Sequence, residues 1–221
     1  MITTTIKRLR SALAASLLLG LAVAVQADPV TLELAPSAQT AGTGDGVSLD
    51  LVISGLDSEG ADSLGDFDID IAFDAARLLL DSFTLTDLLG DLGLGDAIDL
   101  SADLGGGLLN LVLISLLETD DQNCIFCIGP FLDEIQGSSF VLATLNFSVL
   151  DLEPGNSTTV SIAGVNALGD GFGLPLEIAE LGDAVIRNPS IGVPEPGTLS
   201  LIGMGLLAIF GLRSRRREIR V

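Results

Sequence analysis

Apolar and polar residues alternate along the middle of the chain, as they do in strands that bury one face. Residues 67–73 show this most strictly, because Phe67, Ile69, Ile71 and Phe73 alternate with aspartate or alanine. Residues 47–53 and 140–150 follow the same pattern. Similar runs occupy residues 30–34, 78–85, 108–116, 158–162, 174–178 and 184–187. Turn-forming Gly, Asp and Pro residues separate these roughly nine runs, so the sequence predicts an all-β protein folded as an antiparallel sandwich.

Two leucine-rich segments leave alternatives open. Residues 86–104 combine leucines with glycines at positions 90, 93 and 95, which fits both a broken helical turn and a loop insertion. Residues 108–117 fit both a fully buried strand and an exposed edge through which the body oligomerises, since periodicity does not separate the two.

The N-terminus has the organisation of a secretory signal. Lys7, Arg8 and Arg10 precede an apolar stretch at 13–25, and small residues flank Gln26. This order predicts a signal helix within residues 1–27, removed by cleavage after Ala27. The mature body then begins at residue 28.

The C-terminus has three features in a fixed order: a proline-flanked acidic motif, an uncharged apolar run at 198–212, and a basic cluster. The motif is Val193, Pro194, Glu195 and Pro196, and the cluster within 213–220 includes Arg213, Arg215, Arg216 and Arg217. Fifteen helical residues cover roughly 22 Å, against a hydrocarbon core of ~30 Å, so a transmembrane helix here spans only with extension or local thinning. The arginines predict a cytoplasmic C-terminus, with everything before Pro194 outside.

This order of features resembles a PEP-CTERM sorting tail, which we assign to residues 191–221. The resemblance implies an exosortase-type processing enzyme and an exported protein held in the membrane or envelope, then released to the extracellular surface if the tail is cut. The alternative is a plain membrane anchor.

Charge is distributed very unevenly along the chain. Residues 28–193 hold 28 acidic residues and two basic ones, Arg77 and Arg187, for a formal charge of −26. Such a surface repels phosphate backbones, which excludes nucleic-acid binding, and attracts cations, basic partners or cation-bridged anionic polysaccharide. The alternative is that the acids only keep an exported protein soluble.

Calcium is the one cofactor that the sequence indicates. Asp57, Glu59 and Asp62 lie in one glycine-containing turn and are the candidate metal ligands. Asp66, Asp68 and Asp70 share a strand face, where neighbours lie ~6.6–6.8 Å apart, so we expect a solvated face rather than a site. A weaker acidic turn contains Asp120, Asp121 and Asn123.

The two cysteines, Cys124 and Cys127, form a Cys-x-x-Cys sequence. In an exported protein this predicts a local disulfide, with metal ligation or a redox role as the alternatives.

Little in the chain supports catalysis. It contains no His, Trp or Tyr, which removes the usual general base, a Ser-His-Asp triad and the rings that sugar clefts commonly stack against. We therefore predict a non-catalytic protein, with a secreted carboxylate-dependent glycoside hydrolase as the alternative.

A second resemblance concerns the body. A Gly-x-x-Val-x-Leu segment starting at Gly44, followed by Gly65 and Phe-Asp-Ile-Asp-Ile-Ala-Phe-Asp at 67–74, is similar to cohesin-like domains. This implies a nine-stranded jelly-roll sandwich for residues 28–190 and a dockerin-like protein partner. We expect the body to interact with proteins or with matrix exopolysaccharide.

Overall fold

A computed structural model describes residues 29–56, 63–122 and 128–190, and almost all regular structure there is β. A short helix, α1, spans Leu132–Ile135. The strands are β1 Val30–Ala35, β2 Ala38–Thr40, β3 Gly46–Ser54, β4 Leu64–Phe73, β5 Leu78–Leu85, β6 Ala97–Asp99, β7 Ala102–Gly105, β8 Leu108–Ser115, β9 Ser139–Val149, β10 Ser157–Asp170, β11 Ile178–Gly182 and β12 Ala184–Arg187.

The strands form two sheets that face each other. The five-stranded sheet has the order β11-β1-β3-β9-β5, and the seven-stranded sheet has the order β2-β12-β10-β4-β8-β6, with β7 also paired to β8. Alternate residues of the longer strands point inward, so Phe67, Ile69 and Ile71 of β4 are buried together with Leu145 and Phe147 of β9. The prediction of an all-β sandwich is confirmed.

Eight of the nine predicted strands are present, namely those that became β1, β3, β4, β5, β8, β9, β10 and β12. The strand predicted at 174–178 is wrong, because β11 begins at Ile178 and Pro175 makes only an isolated bridge with Gly169. The strands β2, β6, β7 and β11 were not distinguished by periodicity. They are short, and most of their residues are exposed or half-buried, so they carry little period-2 signal.

The prediction of an antiparallel sandwich holds for most strand pairs of the described residues but is wrong for two of them. β1 pairs with β11 in parallel, and β2 pairs with β12 in parallel. The first part of the body crosses from one sheet to the other between β1 and β2, and the last part does so between β11 and β12. The two ends of the chain therefore run side by side in both sheets, an arrangement that alternation within a strand cannot reveal.

The two leucine-rich segments have different structures: the first contains a turn, and the second is a strand inside a sheet. Residues 86–96 form a turn closed by the Asp91 carbonyl, which accepts hydrogen bonds from three following N–H groups, and β6 and β7 follow it. β8 lies inside its sheet between β4 and the pair β6 and β7, with Leu109, Leu111 and Leu113 buried and the alternate residues outward. Residues 108–115 are therefore a half-buried interior strand, and neither a fully buried strand nor an edge.

The two ends of the sandwich carry different loops. At the C-terminal end, where the chain leaves β12, Asn188 Nδ2 donates to the Leu152 carbonyl over 2.6 Å and Leu150 N–H donates to the Arg77 carbonyl. At the opposite end, Gln136 Nε2 donates to the carbonyls of Leu64 and Leu88 over 2.8 and 3.0 Å. The opposite end thus gathers the 86–96 turn, α1 and the turn after β10 into one group of loops.

Candidate binding face

The outer face of the seven-stranded sheet brings together polar side chains from its three central strands. Asp68 and Asp70 project from β4, Asn110 projects from β8, and Asn166 from β10. The pairing register places Asp70 opposite Asn110, and Asp68 opposite Ala167. A set of residues from distant parts of the chain therefore meets on one surface.

Two amides bridge the two carboxylates. Asn110 Nδ2 donates to Asp68 Oδ1 over 2.7 Å and to Asp70 Oδ1 over 2.9 Å. Asn166 Nδ2 donates to the same Asp68 oxygen over 3.0 Å and to Asp70 Oδ2 over 3.1 Å. An ionised carboxylate only accepts hydrogen bonds, so both amides must present their NH₂ groups to the pair. Charge-assisted hydrogen bonds of this kind fix the four side chains in one arrangement.

No cation neutralises this cluster within the described residues. The ion pair seen there joins Arg77 and Asp74, over 3.2 Å, at the C-terminal end. The two carboxylates on β4 are held by neutral amides, so their negative charge stays available to a partner. Since Asn166 is exposed and the other three are partly exposed, a binding partner can reach the cluster.

Apolar side chains lie beside the cluster on the same face. Val112 is opposite Asp68 across the β4–β8 pairing, and Ile114 is opposite Asp66. Ile98 of β6 pairs with Ile114, and these two isoleucines are 42% and 37% exposed. Exposed apolar side chains next to fixed hydrogen-bonding groups are typical of protein-binding surfaces. We name Val112, Ile98 and Ile114, together with the four polar residues Asp68, Asp70, Asn110 and Asn166, the candidate binding face.

Asp66 was expected to share this face but has a different environment. It lines a recess of about 160 Å³ at the opposite end of the sandwich, together with Asp170, Ile114, Leu117 and Leu132. Burial raises the pKa of Asp66, and the neighbouring Asp170 carboxylate raises that pKa further.

Asp170 stabilises the turn that follows β10. It is only 7% exposed, and its Oδ1 accepts hydrogen bonds from the N–H groups of Phe172 and Leu174. These two hydrogen bonds hold the turn that follows β10. The strand aspartates thus divide into an amide-bridged pair and a partly buried carboxyl near a turn.

The calcium prediction has no structural test. Asp57, Glu59 and Asp62 lie outside the described residues. Asp120 and Asp121 are described, and Asp120 Oδ1 accepts a hydrogen bond from Gln122 N–H over 2.8 Å. The described part of the chain contains no group of three or more His, Cys, Asp or Glu residues that could hold a metal ion.

The cysteine and tail predictions also fall outside the described residues. This applies to Cys124 and Cys127, to the signal helix in residues 1–27 and to the transmembrane helix at 198–212. In the described part, no helix is long and apolar enough to cross a bilayer. The disulfide, the signal helix and the transmembrane helix stay predictions.

Known proteins resemble the chain in two separate regions. Residues 192–217 match the PEP-CTERM protein-sorting motif, and this stretch includes the Pro-Glu-Pro sequence and the four arginines at 213 and 215–217. The chain carries a PEP-CTERM sorting motif. That motif indicates an exported protein attached to the cell envelope through its C-terminal segment.

The body has a cohesin-like fold. The sixth cohesin of scaffoldin B from Acetivibrio cellulolyticus, solved in complex with a mutant dockerin, superposes with a TM-score of 0.54 at 18% identity, covering 72% of this chain and 99% of that one. CaCohA2 from Clostridium acetobutylicum gives 0.52 at 17%, covering 75% and 94%. A type I cohesin–dockerin complex from Clostridium thermocellum gives 0.54 at 9%, covering 73% and 99%. Comparison with curated proteins gives no significant match.

Sequence reasoning located the aspartates of β4 but missed their amide partners. Asn110 and Asn166 are each polar residues within apolar stretches, at positions that face outward in β8 and β10. This could have identified them as surface residues. Their meeting with Asp68 and Asp70 depends on a register between strands that are 40 to 98 residues apart in the chain.

Proposed function

We propose that this is a non-catalytic exported protein, sorted to the cell envelope by its PEP-CTERM tail, whose sandwich binds another protein through the candidate binding face. The amide-bridged pair Asp68 and Asp70 is the observation that carries the proposal. It supplies fixed acceptors with uncompensated negative charge beside exposed apolar side chains.

The arrangement of the face suits a protein ligand. Bridged carboxylates are already ordered before binding, so less side-chain conformational entropy is lost when a partner binds them. A partner with amide, hydroxyl or basic donors can bond to the free lone pairs of Asp68 and Asp70 while its apolar groups cover Val112, Ile98 and Ile114. Apolar contact with a polar surround is the usual anatomy of such interfaces.

The cohesin-like fold supports a dockerin-like protein as the partner. Two of the similar cohesins were solved bound to dockerins. Matrix polysaccharide is the other ligand class expected from the sequence, with cations bridging its anionic groups to the acidic body. The apolar side chains on the face favour the protein, because they offer nothing to a hydrated anionic polymer.

The hydrolase alternative would require two carboxyls facing each other across a cleft that admits a sugar. Asp66 and Asp170 are neighbours, but their recess of about 160 Å³ is small beside the ~300–1,000 Å³ of most small-molecule sites. Asp170 is also engaged in holding the turn after β10. The small recess and the role of Asp170 in the turn support a structural rather than a catalytic role for the pair.

Affinity capture from the native host tests the proposal. The full chain, tagged between Ala27 and Asp28, is expressed in three forms: unchanged, Asp68→Asn with Asp70→Asn, and Asp50→Asn with Asp81→Asn. The last is a matched control, since Asp50 and Asp81 accept hydrogen bonds from Thr144 and Ser148 of the five-stranded sheet. Proteins retained from the envelope fraction are quantified by mass spectrometry.

We expect a specific exported protein to be retained by the unchanged chain and by the control, and to be depleted about tenfold by the double substitution on β4. Equal retention by all three forms would refute a role for this face. Equal loss from both double variants would show only that charge matters, and would also count against the proposal.

A further inference from the structure

A second recess lies at the opposite end of the sandwich, apart from the candidate binding face. Its volume is about 260 Å³. Apolar side chains from three segments form its floor, and three carboxylates stand around it. The floor residues are Leu88, Leu94, Leu117, Pro130 and Ile135, and the acids are Asp87, Asp91 and Asp96.

The wall of this recess is built by the 86–96 turn, which backbone contacts hold in place. The Asp91 carbonyl accepts hydrogen bonds from the N–H groups of Leu94, Gly95 and Asp96, and Asp91 Oδ1 accepts one from Gly93 N–H over 2.7 Å. Gly90 has a φ of +124°, and a Cβ there would collide with the Asp96 carbonyl. The turn is therefore a defined structure that shapes the recess before any partner arrives.

The acids around the recess have no basic neighbour in the described body. Its only basic residues are Arg77 and Arg187, which both lie at the C-terminal end, and Arg77 is paired with Asp74. Asp87 and Asp91 are exposed, and Asp96 is partly exposed. A cation from outside can therefore reach all three.

The chemistry of the recess selects the kind of cation. Within the described residues no three carboxylates converge closely enough for a metal ion. Separated carboxylates around an apolar floor instead match a side chain with an apolar stem and a charged end, as in arginine or lysine. Leu94 is 78% exposed, so the floor also offers area to an apolar neighbour of that side chain.

We propose that this recess docks a basic and apolar segment of another exported protein, whose arginine or lysine side chains reach Asp87, Asp91 and Asp96 while its apolar groups cover Leu94 and Leu117. We choose a basic partner because its charge complements the three carboxylates around the recess. A second copy of this chain fits poorly, because its body carries 28 acidic residues against two arginines, and Arg77 is already paired with Asp74.

The position of the recess agrees with this role, given the sorting tail of the proposed function. Only seven residues separate Ser190 from the apolar run that starts at Thr198, and they span at most ~25 Å. While the tail is in the membrane, the C-terminal end of the sandwich is held close to the bilayer. The recess is at the other end of the sandwich, away from this attachment.

Peptide binding to the full chain in detergent micelles tests the proposal. The probe is fluorescein-labelled Arg-Leu-Arg-Leu-amide, compared with Gln-Leu-Gln-Leu-amide, and binding is followed by fluorescence anisotropy. The variants are Asp87→Asn with Asp96→Asn, Leu94→Ser, and a control of equal charge change at the C-terminal end, Asp151→Asn with Glu153→Gln. Gel filtration of each form reports self-association.

We expect saturable binding of the basic peptide that weakens about fivefold in the Asp87 and Asp96 variant and in Leu94→Ser, and less than about twofold in the control. The neutral peptide should bind at least about tenfold more weakly. Equal weakening in both charge variants would show attraction to the general field and overturn the proposal. So would the absence of saturable binding, or a dimer lost on changing Asp87 and Asp96.

The Asp68→Asn with Asp70→Asn chain separates this proposal from the proposed function. It should bind the basic peptide normally, whatever the capture experiment shows. Loss of peptide binding in that chain would place the peptide on the candidate binding face and refute docking at the recess.

Discussion

Individual aspartates of one strand have different environments, because their burial and their neighbours on the adjoining strands differ. Asp68 and Asp70 share the NH₂ groups of two asparagines, which offsets the repulsion between their charges. Asp66, two residues nearer the start of β4, lines a recess together with Asp170 and lies partly buried. Alternation along β4 specifies which way these residues point, whereas their hydrogen-bond partners and burial depend on the neighbouring strands.

Asp66 should give the protein a pH-dependent stability with a defined sign. Its pKa in the fold is raised above 3.8, so the folded state binds this proton more tightly than the unfolded chain. The stabilisation is complete below the unfolded pKa and is lost as the pH rises through the raised one. Asp66→Asn should therefore be more stable than the unchanged protein at neutral pH, and this difference should shrink as the pH falls toward 4 (about the unfolded value).

Urea midpoints measured from about pH 7 down to about pH 4 test this, with Glu180→Gln on β11 as the exposed control. A constant difference between Asp66→Asn and the unchanged chain across that range would contradict it.

Whole strands could be predicted from the sequence where one face is buried and the other is exposed to solvent. β3, β4 and β9 each alternate over most of their length, and their inward residues form the core. Edge strands such as β2 and β7 bury almost nothing, so no pattern in the sequence marks them. The meeting of Asn110 and Asn166 with the β4 aspartates was not predictable either, because register between distant strands follows from the packing of the whole sandwich.

The turn between β7 and β8 offers a test at the level of an element. Gly107 has a φ of +87°, its carbonyl accepts a hydrogen bond from Phe73 N–H, and a Cβ there would collide with the Phe73 carbonyl. Gly106 has a φ of +65°, with open space around it. Gly107→Ala should lower the free energy of unfolding by about 2–4 kcal/mol, and Gly106→Ala by about 1 kcal/mol.

Chemical denaturation of the two variants checks this difference. Equal losses would mean that positive φ alone sets the cost and that β4 does not approach the turn as closely as described.

At the scale of the whole molecule, charge and chain direction determine which surfaces the protein exposes to its surroundings. A body with 28 acidic and two basic residues repels itself, while the sorting motif follows directly from the C-terminal end of the sandwich. The candidate binding face runs along one sheet, and the second recess lies at the end opposite the point where the chain leaves β12. An exported module tethered by its tail would show both to its surroundings.

Self-repulsion predicts that salt stabilises the body. Raising sodium chloride from about 10 mM to about 500 mM should raise Tm, because screening weakens repulsion among exposed carboxylates. If Asp57, Glu59 and Asp62 bind calcium, calcium chloride at equal ionic strength should raise Tm further. That extra rise should disappear in Asp57→Asn with Asp62→Asn, and equal Tm values in the two salts would contradict the calcium prediction.

The intact mass of the protein in membrane and released fractions of its native host tests export and sorting by the tail. Terminal peptides identified in the same samples assign each mass. We expect a chain that starts at Asp28 and ends near Pro194, without the apolar run and the arginines. A chain that keeps residues 1–27, or that is found only with Arg213–Val221 still attached in the membrane, would contradict it.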